Sequence, residues 1–243
     1  MATERLSLPL VGSAVEVVRA AEWSPTWAGA FGDARFRGAA YVAAKRALDI
    51  AVALTVLVLL VPLLLIIGVA IRIESKGPAL YRAERVGRFG RPFRVAKFRS
   101  MRADCDSAPH MAYVRSLMRE PVSPCVLYKV PDDARITRIG HFLRRTSLDE
   151  LPQLWNVLRG EMSLVGPRPD VPYAVADYDG GLHRRLLVKP GITGLWQVSG
   201  RSRLSLTEMY RLDLAYVAQA SLWVDLRILA RTVPVVLGRS GAA

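Results

Sequence analysis

Residues 50–71 read IAVALTVLVLLVPLLLIIGVAI, 22 residues without a charged side chain. At about 1.5 Å of rise per helical residue, the run is long enough to cross a hydrocarbon core of roughly 30 Å. Two features argue against a plain transmembrane span. Pro62, near the middle, has no N–H for the carbonyl of Val58 and crowds the preceding turn, which predicts a kink or break. Basic residues also flank both ends: Arg35, Arg37, Lys45 and Arg46 before it, and Arg72, Lys76, Arg82, Arg85 and Arg88 after it. Such residues mark the cytoplasmic side of a bilayer, and here both flanks carry the mark. A helix that goes in and comes out by the same face satisfies both observations. The expected arrangement is a re-entrant membrane helix with both ends cytoplasmic; a single span with a tolerated proline is the alternative.

The remaining composition fits that picture. The 243 residues suffice for one domain of ordinary size beside the membrane segment. Lys and Arg outnumber Asp and Glu by 34 to 21, a formal charge of +13, which suits anionic lipid, phosphorylated substrates or nucleic acid. Charge alone does not choose among these; the apolar run favours the first two. Cys105 and Cys125 have no metal-ligand spacing and nothing demands a disulfide, so a reducing cytoplasm is adequate. His110, His141 and His183 are scattered and point to neither a zinc site nor a Ser/His triad. The apolar run starts too late and is too long for a cleaved signal peptide.

Working outward, residues 1–40 read as a flexible leader, with Trp23 and Trp27 suited to a membrane surface or to a loose tail. Residues 41–76 form the membrane-helix region. Asp49 follows Lys45 by four residues and Arg46 by three, a spacing that permits pairing within one helix. Residues 77–243 are then the cytoplasmic domain. Residues 79–86 and 92–101 read as two strands about a turn at Gly87, Arg88, Phe89 and Gly90, which makes a hairpin. In the second strand Phe93, Val95 and Phe98 interleave with Arg94, Lys97 and Arg99, a basic face for phosphate, lipid headgroups or solvent. Residues 105–120 are predicted helical, followed by a loop broken by Pro121, Pro124 and Pro131. Residues 136–145 are a short helix carrying Arg138, Arg144 and Arg145. Near the C-terminus, residues 204–218 read as a helix with a Ser205/Glu208 capping box. Residues 221–237 read as another, too apolar all round for a free surface helix, which packs on the core or lies in the membrane interface.

The chemistry points to TSLDELPQLWNVLRGEM, residues 146–162. Leu151, Leu154, Trp155 and Leu158 recur at helical spacing, and Gly160 is a natural stop. Pro152 is tolerated only in a first turn, so the helix is expected to begin near Asp149. Asp149 and Glu150 would then sit at a helix N-terminus behind Arg144 and Arg145, an arrangement that favours ionised carboxylates or simply caps the helix. Two glycine-punctuated loops follow: SLVGPRPD, residues 163–170, around Arg168, and KPGITGLWQVSGR, residues 189–201, ending in Arg201. Glycine permits close backbone approach to a ligand and arginine can grip phosphate, but neither loop matches a P-loop or dinucleotide fingerprint.

Taken together, Lys45-Arg46-Ala47-Leu48-Asp49, Lys97-Phe98-Arg99-Ser100-Met101, the run from 147 to 169 and the loop from 189 to 201 resemble the bacterial sugar transferases, monotopic polyprenyl-phosphate phosphoglycosyl transferases. The resemblance runs from about residue 41 to the C-terminus. It implies transfer of a phospho-sugar from a UDP-sugar to polyprenyl phosphate at the cytoplasmic face of the bacterial inner membrane, with release of UMP, to initiate exopolysaccharide or capsule synthesis. It places a re-entrant kink at Pro62, although Val61 stands where members often have a serine. It also puts the catalytic dyad on Asp149 and Glu150. Asp149 would be the nucleophile that carries the phospho-sugar, Glu150 would assist through magnesium or as a base, and the two carboxylates are the candidate magnesium ligands. Arg144, Arg145, Arg168 and Arg201 are the candidate phosphate ligands. The expected partners are the UDP-sugar (galactose or glucose), polyprenyl phosphate, membrane lipids, a second copy of the chain in a homodimer and downstream glycosyltransferases, with no nucleic acid.

The expected fold class is α+β and mainly helical: a re-entrant membrane helix plus a small cytoplasmic domain with a short β-hairpin and interfacial helices. Three rival readings remain. A membrane-anchored nucleic-acid-binding protein would explain the charge but predicts a recognition helix or basic-aromatic surface, and neither stands out. A noncatalytic scaffold for polysaccharide assembly would keep the carboxylates without turnover. A magnesium transferase without a covalent intermediate would differ in its kinetics, sequential rather than ping-pong.

Overall fold

The computed structural model describes residues 38–102, 135–178, 181–201 and 204–238. The leader up to residue 37 with Trp23 and Trp27, the helix expected at 105–120, the proline loop after it, Cys105, Cys125 and His110 lie outside the described residues.

The apolar run lies within one helix, α1 (Ala39–Glu74), 36 residues long. Its backbone stays helical through Pro62, so the proline breaks no element. Among the described residues it is the one helix long and apolar enough to cross a membrane. Its buried positions are Asp49, Ala53, Ile67 and Ile71, with Val56, Leu57 and Leu64 partly buried between them. These recur at helical spacing and form one stripe along the helix. The other faces leave Val58, Leu59, Leu65, Ile66 and Ile73 exposed at 63 to 81 %. Exposed apolar surface on this scale marks a partner or a membrane.

Both ends of α1 are tied to the same domain. Near its start Arg46 donates to the carbonyls of Val157 and Leu158, and Lys45 pairs with Asp225 at 2.9 Å. Asp49 accepts from Ser163 Oγ and the Leu164 N–H. The local pairing expected among these three gives way to longer reaches, because the buried Asp49 finds a hydroxyl and a free N–H on the chain packed against it. At the far end, Glu74 accepts from the Ile139 N–H, and Arg99 donates to the carbonyls of Ser75 and Lys76.

The hairpin forms as expected: β1 (Leu80–Val86) runs antiparallel to β2 (Pro92–Phe98), with Ala83 opposite Val95. The second strand ends three residues earlier than predicted, because Met101 bridges to Ile136 instead. Its basic residues have separate tasks rather than forming one face. Arg99 is buried and stops the end of α1, whereas Lys97 turns toward the dyad. α2 (Arg138–Thr146) follows, then α3 (Gln153–Arg159), which Gly160 closes at φ 80° as foreseen. The face of α3 that is buried differs from the predicted stripe. Leu154 and Val157 are buried with the polar Gln153 and Asn156, while Trp155 is 57 % exposed. Asn156 earns its burial by bonding across to β2, accepting from Ala96 N–H and donating to the Arg94 carbonyl.

The two glycine-rich stretches are not plain loops. They open as short parallel strands, β3 (Ser163–Val165) and β4 (Gly191–Thr193), with Ser163 opposite Gly191. A Cβ at Gly191 would collide with the Gly166 backbone, and one at Gly166 with the Lys189 carbonyl. These glycines therefore serve the approach of the two backbones to each other rather than to a ligand. Short helices α4 (Pro172–Ala176) and α5 (Leu195–Ser199) lead to α6 (Leu206–Gln219), whose Ser205/Glu208 capping box is complete. α7 (Leu222–Leu237) buries Ile228 and Asp225 yet exposes Trp223 at 67 %. The main core gathers Ala53, Val95, Leu154, Val157, Val165, Tyr216 and Ile228 from six elements. The observed class is mainly helical α+β.

Candidate active site

Asp149 and Glu150 lie on a single 3-10 turn, Leu148–Glu150, between α2 and α3. The helix begins at Gln153 rather than near Asp149, because Ser147 adopts left-handed geometry (φ 58°) and turns the chain before Pro152 can start α3. A non-glycine residue in that region stores of order 1 kcal/mol, so the turn is held by its surroundings. Leu148 anchors it in a small core with Leu143 and Phe98, and Ser147 Oγ accepts from Arg201 Nη2 at 3.2 Å.

The two carboxylates are in different situations. Glu150 Oε1 accepts from Lys97 Nζ at 2.8 Å and from Arg168 Nη2 at 2.9 Å. Burial works to raise the Glu150 carboxyl, but Arg168 and Lys97 overcome it and hold it well below the usual range. Asp149 is partly exposed and receives no hydrogen bond among the described residues. Burial and the neighbouring Glu150 charge push its carboxyl upward, against the pull of Lys97, Arg168 and Arg144. The expectation that both acids are favoured as anions thus holds for Glu150 and reverses for Asp149. One carboxylate is locked and held as the anion by two cations; the other accepts no hydrogen bond among the described residues and is the more basic of the pair.

Of the predicted phosphate ligands, Arg168 bonds the dyad directly. Arg144 acts on Asp149 through its charge while its Nε donates to Ser100 Oγ at 2.9 Å. Arg201 borders the site through Ser147. Arg145 is exposed on α2 and is not brought to the dyad by any contact among the described residues. Sequence reasoning missed the role of Lys97; its alternation in β2 marked a face but not which cation would point inward.

It also missed the brace behind Arg168. The buried Arg185 donates to the Arg168 carbonyl at 3.0 Å, to Asp170 at 2.6 Å and to Asp213 at 2.7 Å, and meets the Tyr178 hydroxyl. Arg185 stands beside Arg184 among 34 basic residues, and nothing local separates it from them. Burial pushes the Asp213 carboxyl up to about 7 even against Arg185. In contrast, Arg185 and Tyr178 overcome burial to hold Asp170 below its usual range.

Magnesium suits this donor set. The described residues hold no group of three or more His, Cys, Asp or Glu side chains. Mg²⁺ needs only one or two carboxylates when substrate phosphates and water complete its octahedron. Asp149 offers open oxygens and Glu150 a second carboxylate already oriented by two cations.

The family described as bacterial sugar transferase matches residues 40–239. The chain is 46 % identical over 201 residues to a UDP-galactose-lipid carrier transferase of Erwinia amylovora, covering 82 % of this chain and 41 % of that protein. It is 41 % identical to an undecaprenyl-phosphate galactose phosphotransferase of Salmonella typhimurium, again covering 82 % of this chain and 41 % of the relative. It is also 41 % identical over 206 residues to a UDP-glucose:undecaprenyl-phosphate glucose-1-phosphate transferase of Caulobacter vibrioides, covering 82 % and 71 %. The chain thus spans about two fifths of the Erwinia and Salmonella proteins. The match includes the hairpin, the dyad, the Arg168 loop and α1, and the chain belongs to the bacterial sugar transferase family.

Proposed function

We propose that the chain transfers a sugar 1-phosphate from a UDP-sugar, galactose or glucose, to polyprenyl phosphate such as undecaprenyl phosphate, releasing UMP. The observation that carries this reading is the open Asp149 carboxylate beside a locked Glu150, with Lys97 and Arg168 at hand. An Asp149 oxygen attacks the sugar-bearing phosphorus, a P–O bond forms, and the bond to the UMP oxygen breaks. A polyprenyl phosphate oxygen then attacks the same phosphorus, and Asp149 leaves as the free carboxylate. Splitting the displacement into two steps lets one basic pocket serve both polyanions. Lys97, Arg168 and Arg144 offset the charge gathered at the transferring phosphoryl group. Magnesium, when held by the dyad and the diphosphate, would supply further neutralisation. The lipid product suits extension by downstream glycosyltransferases into exopolysaccharide, capsule or a related glycan.

The site then works at the cytoplasmic face of the inner membrane, with α1 re-entrant. Both ends of α1 dock on one domain, through Arg46 and Asp49 at one end and Glu74 and Ser75 at the other. A plain span would carry its ends to opposite sides. In a variant with Cys105→Ser and Cys125→Ser, cysteines placed by Ala44→Cys and Lys76→Cys should both resist an impermeant maleimide in intact cells and both react after permeabilisation. Labelling of only one from outside would rule out re-entry.

The reaction itself is tested by incubating membranes that contain the chain with a panel of labelled UDP-sugars. A lipid-linked sugar diphosphate and stoichiometric UMP are expected from one of them. No product from any of the panel would favour the scaffold reading.

A further inference from the structure

The backbone that carries Arg168 is held on both sides of it. Pro169 confines Arg168 to extended geometry. The Pro167 carbonyl accepts from the Gly191 N–H at 2.9 Å, and the Asp170 carbonyl from the Val86 N–H at 3.0 Å. The Arg168 carbonyl between them accepts from a side chain instead, Arg185 Nη2 at 3.0 Å. Arg185 is 4 % exposed and lies on a 3-10 turn, Leu182–Leu187. Its Nε and Nη2 both donate to Asp213 Oδ2, at 3.0 and 2.7 Å. Nη1 reaches Asp170 Oδ2 at 2.6 Å and the Tyr178 hydroxyl. The guanidinium carbon lies 4.4 Å from the centroid of the Tyr210 ring, one turn before Asp213 on α6.

The way these donors are used separates the brace from a plain charge pair. An arginine that only neutralises a carboxylate meets both of its oxygens in a fork, the strongest form of the pair. Here Asp213 Oδ1 is buried and has no partner among the described residues. Both donors converge on Oδ2 instead, and the remaining Nη2 hydrogen goes to the Arg168 carbonyl. That carbonyl carbon is bonded to the Arg168 Cα, so holding it sets where the side chain starts toward Glu150, 2.9 Å from its Nη2. We propose that Arg185, oriented by Asp213, is a positioning residue of the transfer reaction. It fixes the backbone from which Arg168 reaches Glu150 and the transferring phosphoryl group. The assignment rests on the transfer proposed above. It extends the site to α6, whose Asp213, 1 % exposed, acts only through Arg185.

The test times the first half-reaction, the burst of UMP released from excess labelled UDP-sugar without lipid acceptor. It is run below the melting temperature of every variant. The burst amplitude counts folded, active protein, and its rate constant reports the placement of the site. Arg185→Lys keeps a cation between the carboxylates but lacks the five-donor fork. It should slow the burst by about tenfold or more with most of the amplitude kept, within the roughly 100-fold that a 1 Å misplacement costs. Arg185→Met combined with Asp170→Asn and Asp213→Asn removes the buried charges together. This combined variant should melt well above Arg185→Met alone and still be slow. In an Arg168→Ala background, adding Arg185→Lys should slow the burst by less than about twofold further, because the two act in one chain. Equal slowing in both backgrounds, or a wild-type rate in Arg185→Lys or the combined variant, overturns the inference. A loss confined to amplitude also overturns it, by assigning Arg185 to folding alone. Wild-type protein that releases no UMP from any UDP-sugar of the panel overturns the transfer reading itself, and the inference with it.

Discussion

Asp149→Asn is expected to abolish transfer, lowering turnover by at least about 10⁴-fold, the scale on which removing a covalent nucleophile acts. The amide is nearly isosteric but cannot release UMP by forming an acyl phosphate. Radiolabelled phospho-sugar trapped on wild-type protein should therefore be missing from the variant, as should UMP exchange into UDP-sugar without lipid acceptor. Full transfer by Asp149→Asn would sink the covalent route and leave the sequential magnesium mechanism. The pH profile adds an independent check. Asp149 must be ionised to attack, and its carboxyl lies above the ordinary value, so activity should fall on the acid side at a higher pH than an unperturbed Asp would give. Glu150 contributes to that rise. Replacing it by Glu150→Gln removes the negative neighbour and leaves Lys97 and Arg168 to act on Asp149, so the residual activity should lose its acid limb at lower pH. A limb that stays in place would mean that another group titrates.

The second large effect is on stability. Arg185→Met is expected to destabilise the fold by about 3–5 kcal/mol, because it leaves Asp170 and Asp213 buried without their shared guanidinium. For a chain of this size that lowers the melting temperature by roughly 10 °C. The sign with pH follows from linkage. Without Arg185 both carboxyls rise above their unfolded values, so the folded state holds extra protons in mildly acidic solution and loses stability as pH increases. The deficit should thus be larger at pH 8 than at pH 5, since Asp213, already raised to about 7 in the wild type, would hold its proton to still higher pH without Arg185. Adding Asp170→Asn and Asp213→Asn to Arg185→Met should recover much of the loss. A melting temperature unchanged in Arg185→Met would show that the Arg168 loop is held by other contacts. The same variant bears on catalysis, since the Arg168 carbonyl that Arg185 grips belongs to the residue that locks Glu150.

Much of this site is legible along the chain. Asp149 and Glu150 are adjacent, Arg168 stands alone in a proline-bounded loop, and Gly160 and the Ser205/Glu208 pair mark helix ends through geometry that only a few residue types satisfy. Lys97, Arg185 and Asp213 are different. Each looks like one charge among many, and its partner is 15 to 53 residues away. Nothing in local periodicity says which basic residue turns inward, because that depends on which backbone is packed against it. The same limit explains the glycines at 166 and 191, which from sequence look able to admit a ligand and in the fold admit each other.

The apolar run shows where the boundary falls. By itself the sequence determined that residues 50–71 form a helix, that it is long enough for a membrane, and that cations flank both ends, since length, hydropathy and charge are local properties. It left open which side of the helix meets protein. A bilayer and a protein core both select apolar side chains, so the stripe from Ala53 to Ile71 and the exposed stripe from Ile50 to Leu65 read alike. Tertiary contacts separated them: Asp49 bonded to β3, Arg46 to the end of α3 and Glu74 to α2 fix the rotation of α1 and hold both its ends on one domain.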